Sequence, residues 1–128
     1  MIPNNGGMWQ ARESSYVPTP LSLHSNLQWV SEKGMVIVMD CKSGDLVTRR
    51  RLNGLASGGR AIYASPVLSG KHIYVVTRRN GTYVFEANSE MKRVAVNEPL
   101  DDSDFNATPA VSDGRLILRS NTTLYCIQ

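Results

Sequence analysis

Three hydroxyl-proline steps, Thr19-Pro20, Ser65-Pro66 and Thr108-Pro109, punctuate the chain, with prolines 46 and 43 positions apart. After each step the same order returns: a short strand, a polar turn, an apolar strand, a second turn and another apolar strand. The first turns are "SLHSN", "SGK" and "SDG", and the second are "EKG", "RRNG" and "SNTT". This is hairpin chemistry, with Gly, Asn, Asp and Ser supplying the conformations that tight reversals need. A period of about 45 residues limits the fold more than composition does, because a repeat unit cannot bury its apolar faces alone and must stack on its neighbours.

The strand patterns say what is stacked. In "MVIVMD" both alternating residue sets are apolar, and "HIYVV" and "TYVF" behave alike, so these strands are covered on both faces. The first unit continues through "CKSGD" into "LVTRRRL" and the second through "ANSEM" into "KRVAV", each a fourth strand, whereas the third stops at Gln128 after three. No stretch has a helical period. The fold class that results is all-β, with about three four-stranded antiparallel β-propeller blades forming a partial or oligomer-completed ring. Residues 15–60 form the first blade and its linker, 61–104 the second and its linker, and 105–128 the third without its fourth strand. The segment 1–14, containing "GMWQARES", is predicted to supply an outer strand of a preceding or closing blade. Closed propellers have about 4 to 8 blades, and three alone leave two apolar sheet faces bare. Either more chain or further copies of this one are expected to complete the ring.

These units resemble the pyrroloquinoline-quinone-like (PQQ-like) propeller repeat. The resemblance rests on Thr19/Pro20/Leu21, Ser65/Pro66/Val67 and Thr108/Pro109/Ala110, on Tyr74/Val75 and Gly81/Tyr83 in the middle strands, and on Asp40/Ser43/Gly44 in a closing turn. It covers roughly residues 15 to 128, and the chain also looks like the C-terminal blades of longer secreted bacterial proteins related to BamB. "ANSEM" departs from the Asp/Thr/Gly turn, and the fourth strands lack the usual Trp. Trp9 takes that place if the N-terminal segment ends a preceding blade. The resemblance implies a secreted or periplasmic setting, although no export signal is readable in "MIPNNGGMWQARES". Quinoproteins of this fold hold quinone and calcium with a vicinal Cys pair, a stacking Trp and an Asp. That set is not identifiable here, so neither PQQ nor calcium is expected.

Composition narrows the function classes further. A net charge of +3 and an isoelectric point near 9.1 are only mildly basic, and few aromatics lie near the arginines, which disfavours nucleic acid. The longest apolar run, Met35 to Met39, is far short of the ~20 residues of a membrane helix. Cys41 and Cys126 have no metal-type spacing and read as unpaired thiols; a bridge would need their Cα atoms within ~7 Å. "DDSDFN" offers Asp102, Asp104, Asn106 and, further on, Asp113 at calcium-loop spacing, but Ala107 stands where the loop needs glycine. Arg49, Arg50, Arg51, Arg78 and Arg79 read as an exposed edge, with an anionic partner as the sharper alternative. Asn80, Asn106 and Asn121 begin N-x-Thr triplets that are also ordinary turn chemistry. His24 and His72 lack a third ligand. Tyr16, Tyr63 and Phe105, just before each Pro, are candidate partner contacts near the blade entrances, with packing between blades as the alternative. The sequence therefore favours a non-catalytic scaffold for a protein or polysaccharide. Its alternatives are a fragment of a quinoprotein-type oxidoreductase and an anion-binding module.

Overall fold

The computed structural model describes residues 8–55 and 59–128. Blade 1 contains β1 (Leu21–Leu23), β2 (Asn26–Val30), β3 (Met35–Asp40) and β4 (Leu46–Arg51), hydrogen-bonded in that order. Blade 2 repeats the meander with β5 (Val67–Ser69), β6 (His72–Val76), β7 (Thr82–Glu86) and β8 (Arg93–Asn97). Blade 3 has β9 (Ala110–Ser112), β10 (Arg115–Arg119) and β11 (Leu124–Ile127). All neighbours are antiparallel. In the first hairpins the chain reverses over two residues. His24 and Ser25 in blade 1, and Asp113 and Gly114 in blade 3, have φ between +48° and +73°. Two successive left-handed residues give the turn whose twist matches the flanking strands.

Alternation along each strand then distributes the cores. Val30, Val36 and Val38 of blade 1 meet Ile73, Val75, Tyr83 and Phe85 of blade 2, all at most 2% exposed. The opposite face of blade 2, through Val76 and Tyr74, meets Leu116, Leu118 and Phe105. Thus the blades stack in chain order and the central strands of blade 2 are covered on both sides.

The hydroxyl-proline steps join the blades directly. The Thr19 backbone N–H donates to Ser65 Oγ at 2.8 Å, and the Ser65 N–H donates to Thr108 Oγ1 at 2.8 Å. Proline fixes φ after the hydroxyl residue, so each step hands its side chain to the blade before it and its N–H to the blade after it. Ser65→Ala removes the middle acceptor and is expected to cost about 1–2 kcal/mol of stability in urea unfolding, while Ser65→Thr keeps it.

The N-terminal segment behaves differently from its predicted role. Among its described residues there is no strand, and it lies against blade 1 rather than closing blade 3. Trp9 packs with Trp29, Ile37 and Met39 and donates its indole N–H to the Cys41 carbonyl at 2.9 Å, while Glu13 pairs with Arg49 at 3.0 Å. Trp9 reaches that carbonyl because residue 44 is glycine: a Cβ there would lie 2.5 Å from the indole ring. The sequence predicts two bare faces, but blade 1's outer face is buried, with Trp29, Ile37 and Met39 at 3% exposure or less. Blade 3's outer face is open, and Leu124 is 69% exposed. Residues 1–7, the rest of the segment predicted as an outer strand, lie outside the described residues.

Candidate functional site

Both junctions between blades have a packed core, and they differ at one place, where one receives a turn and the other has a slot. At the junction of blades 1 and 2, the turn Asn88–Met91 inserts under blade 1. Gln28 Nε2 donates to the Asn88 carbonyl at 2.9 Å, Thr48 Oγ1 to the Ser89 carbonyl at 3.0 Å, and Arg50 to the carbonyls of Glu90 (2.7 Å) and Met91. The departure of "ANSEM" from the expected turn acquires a physical reason here. Asn88 Oδ1 accepts from the N–H groups of Glu90 and Met91, as Asp40 Oδ1 does from Lys42 and Ser43. Those two donors, Ser43 foremost, hold the Asp40 carboxyl below its ordinary pKa. Met91 occupies the left-handed conformation at φ +47°, as Gly44 does at +76°. An L-residue there costs about 1–2 kcal/mol, offset because the Met91 side chain is fully buried in the core between the blades.

By register, Gln28 and Arg50 of blade 1 correspond to Tyr74 and Asn97 of blade 2, since they pair with equivalent positions of β3 and β7. No closing turn among the described residues meets Tyr74 and Asn97. With Leu116, Leu118 and Ile127 they line a slot of about 160 Å³ between blades 2 and 3. Beside the slot, no strand among the described residues pairs with the outer side of β11. The slot and this edge lie where blade 1 and blade 2 have a closing turn and a fourth strand.

A second cluster sits where the chain enters blade 3. Arg78 pairs with Asp104 at 2.9 Å, donates to Asn106 Oδ1 at 2.7 Å, and lies 4.4 Å from the centre of the Tyr63 ring. Arg79 reaches the other oxygen of Asp104 at 2.6 Å. Asp104 and Asn106, two members of the calcium-loop spacing, therefore turn toward a guanidinium, and Asp113 lies in the β9–β10 turn. Among the described residues no three His, Cys, Asp or Glu side chains converge in a metal-binding group. Nearby, the Asp101 carboxylate accepts from Ser103 N–H and Oγ, Ser120 Oγ, Thr122 Oγ1 and Tyr125 OH, at 2.6 to 3.3 Å. These bonds, Ser103 first, hold its pKa well below the usual carboxylate range, and the same carboxylate pushes Tyr125 up.

The remaining sequence candidates scatter. Phe105 is 4% exposed, stacks with Tyr125 and belongs to the core between blades 2 and 3. Tyr16 is 62% exposed, with the Arg60 guanidinium 3.9 Å from its ring centre. Arg49 and Arg51 are exposed, whereas Arg50 is half-buried in its clamp on blade 2. His24 and His72 line one broad groove at the hairpin ends of blades 1 and 2. Both cysteines are free and exposed. Asn106 is taken up by Arg78, the Asn121 N–H donates to the Asp104 carbonyl at 2.9 Å and the Asn80 N–H to Thr77 Oγ1 at 2.8 Å, so all three N-x-Thr asparagines take part in local structure.

One repeated element escaped the sequence reading. Ser31, Thr77 and Ser120, each 11 residues after a repeat proline, are buried hydroxyls at the ends of the second strands. They accept backbone N–H groups of the following turns, from Met35, Asn80 and Thr123 respectively, at 2.8 to 3.1 Å. The constant spacing was the available signal.

No protein-family model matches the chain, and no curated protein matches it. Among solved structures it is similar to the crystal structure of BamB from Moraxella catarrhalis, with a TM-score of 0.68 at 17% identity over 93% of this chain. The fold is that of a BamB-like β-propeller. The matched region is 35% of the BamB chain, so this chain spans about a third of that protein's length. No helix among the described residues is long and apolar enough to cross a membrane.

Proposed function

We propose that the chain is a non-catalytic propeller scaffold for a protein partner, whose third blade takes a closing turn and an extended fourth strand, from a longer chain or from a partner, along the outer edge of β11. The observation that carries this reading is the contrast between junctions: the turn Asn88–Met91 fills one, and a slot lies at the corresponding place in the other. A sheet edge offers N–H and C=O groups at strand spacing, which a polypeptide matches and a polysaccharide does not. Leu116, Leu118 and Ile127 give the slot an apolar wall. The segment that fits there is a strand preceded by a tight turn that points one apolar side chain into the slot, as Met91 points into the other core.

The sequence of residues 88–97, NSEMKRVAVN, is the turn and strand that blade 2 uses in that place, and a synthetic peptide of it is the direct probe. Saturable binding with slowed hydrogen exchange of the β11 amides is expected. Replacing the peptide's methionine by serine should weaken binding at least about tenfold, the effect of burying one such side chain. Unchanged exchange at β11, or equal affinity of the two peptides, overturns the reading.

A further inference from the structure

Arg50, Arg51, Lys92 and Arg93 line a single groove of about 450 Å³ at the outer rim of blades 1 and 2, with Glu90 as the one carboxylate in its wall. Sequence separates these cations by some 40 positions. They meet because the turn Asn88–Met91 folds beneath β4, so that Arg50 and Arg51 come to face the start of β8. Four cations against one carboxylate give the groove a local charge of +3, equal to the formal net charge of the whole chain. Glu90 makes no ion pair with any of the four among the described residues.

The donors are held but not used up. Arg50 is anchored by its bonds to the Glu90 and Met91 carbonyls. Arg51 and Arg93 each make one long hydrogen bond, to the Lys33 carbonyl at 3.4 Å and the Asn53 carbonyl at 3.5 Å, and the Arg93 guanidinium lies 5.9 Å from the centre of the Tyr83 ring, which leaves most N–H groups of each fork open. The Lys92 ammonium has no side-chain partner among the described residues. Guanidinium forks match tetrahedral oxyanions in paired hydrogen bonds, and an ammonium adds a point charge. Cations gathered this way repel one another, so a bound anion gains both direct contacts and relief of that repulsion.

We propose that this groove is a binding site for a tetrahedral oxyanion, a sulfate or phosphate group. It is separate from the strand-accepting slot and stands whether or not that slot is used. The test is calorimetric titration and thermal unfolding with inorganic sulfate, inorganic phosphate, glucose 6-sulfate and glucose 6-phosphate, against chloride at matched ionic strength. Saturable binding is expected. R51Q/K92Q should weaken it at least tenfold, and R49Q, outside the groove, should leave it unchanged. K92Q alone, which removes no side-chain hydrogen bond or ion pair among the described residues, should weaken it at least threefold and keeps the test open should the double variant fold poorly. A preference between the two sugar esters, lost in R51Q/K92Q, supports the proposal and distinguishes sulfate from phosphate as the group bound. Equal stabilisation of the wild type and K92Q by sulfate and phosphate is the general exclusion effect of such salts, and it overturns the proposal, as does binding that never saturates.

Discussion

Phe85→Ala is expected to lower the unfolding free energy by about 3–5 kcal/mol, read as a shift of the urea midpoint by circular dichroism. Phe85 has no exposed surface, stacks against Tyr83 with ring centres 6.5 Å apart, and lies in the core that joins blades 1 and 2. Its removal leaves a cavity that neither sheet can close, because both are fixed by their hydrogen-bond ladders. Whole domains are stable by only about 5–15 kcal/mol, so the variant should approach unfolding at room temperature. Phe85→Leu, which retains most of the volume, should lose less than half as much. Equal losses for the two variants would show that Phe85 does not fill the junction as described.

Gly81→Ala should be comparably damaging, by about 3 kcal/mol or more, for a backbone reason. Gly81 has φ +82°, and a Cβ there would run into the Asn97 carbonyl oxygen. That carbonyl belongs to the pair between Thr82 and Asn97 where β8 joins β7, so the clash can be relieved only by opening the ladder. Gly70→Ala is the control. Its φ is +60°, but no atom lies within 4 Å of a Cβ built there, so only the conformational cost of about 1–2 kcal/mol remains. A smaller loss at Gly81 than at Gly70 in matched thermal melts would contradict this account of the β7–β8 contact.

The strands of blades 1 and 2, and the three of blade 3, were legible because each carries its own record. Met35 to Met39 and Thr82 to Phe85 are apolar on both faces, and the reversals at His24-Ser25 and Asp113-Gly114 are short polar steps. The segment around Trp9 reads as a strand in the sequence but has none over residues 8–14, since one aromatic in a polar stretch suits a strand and a packed coil equally well. Its position was nearer the mark than its conformation: it covers the outer face of blade 1, where a preceding blade would stand. The arginines show the same limit. Three consecutive arginines read as one exposed edge, yet Arg50 clamps the blade 2 turn, Arg49 holds Glu13, and Arg51 joins Lys92 and Arg93 in a groove.

The sequence by itself determined the repeat, the strand order within each blade and the hydroxyl-proline step, because turn chemistry and two-residue alternation act over a few neighbouring positions. Only the tertiary structure decided what the repeated parts touch. It linked Thr19, Ser65 and Thr108 across three blades, and it turned Asp104 and Asn106 toward Arg78. It also filled one junction with Met91 while leaving a slot at the next. Those outcomes depend on which blade lies beside each residue, and packing between elements some 40 positions apart leaves no local pattern along the chain.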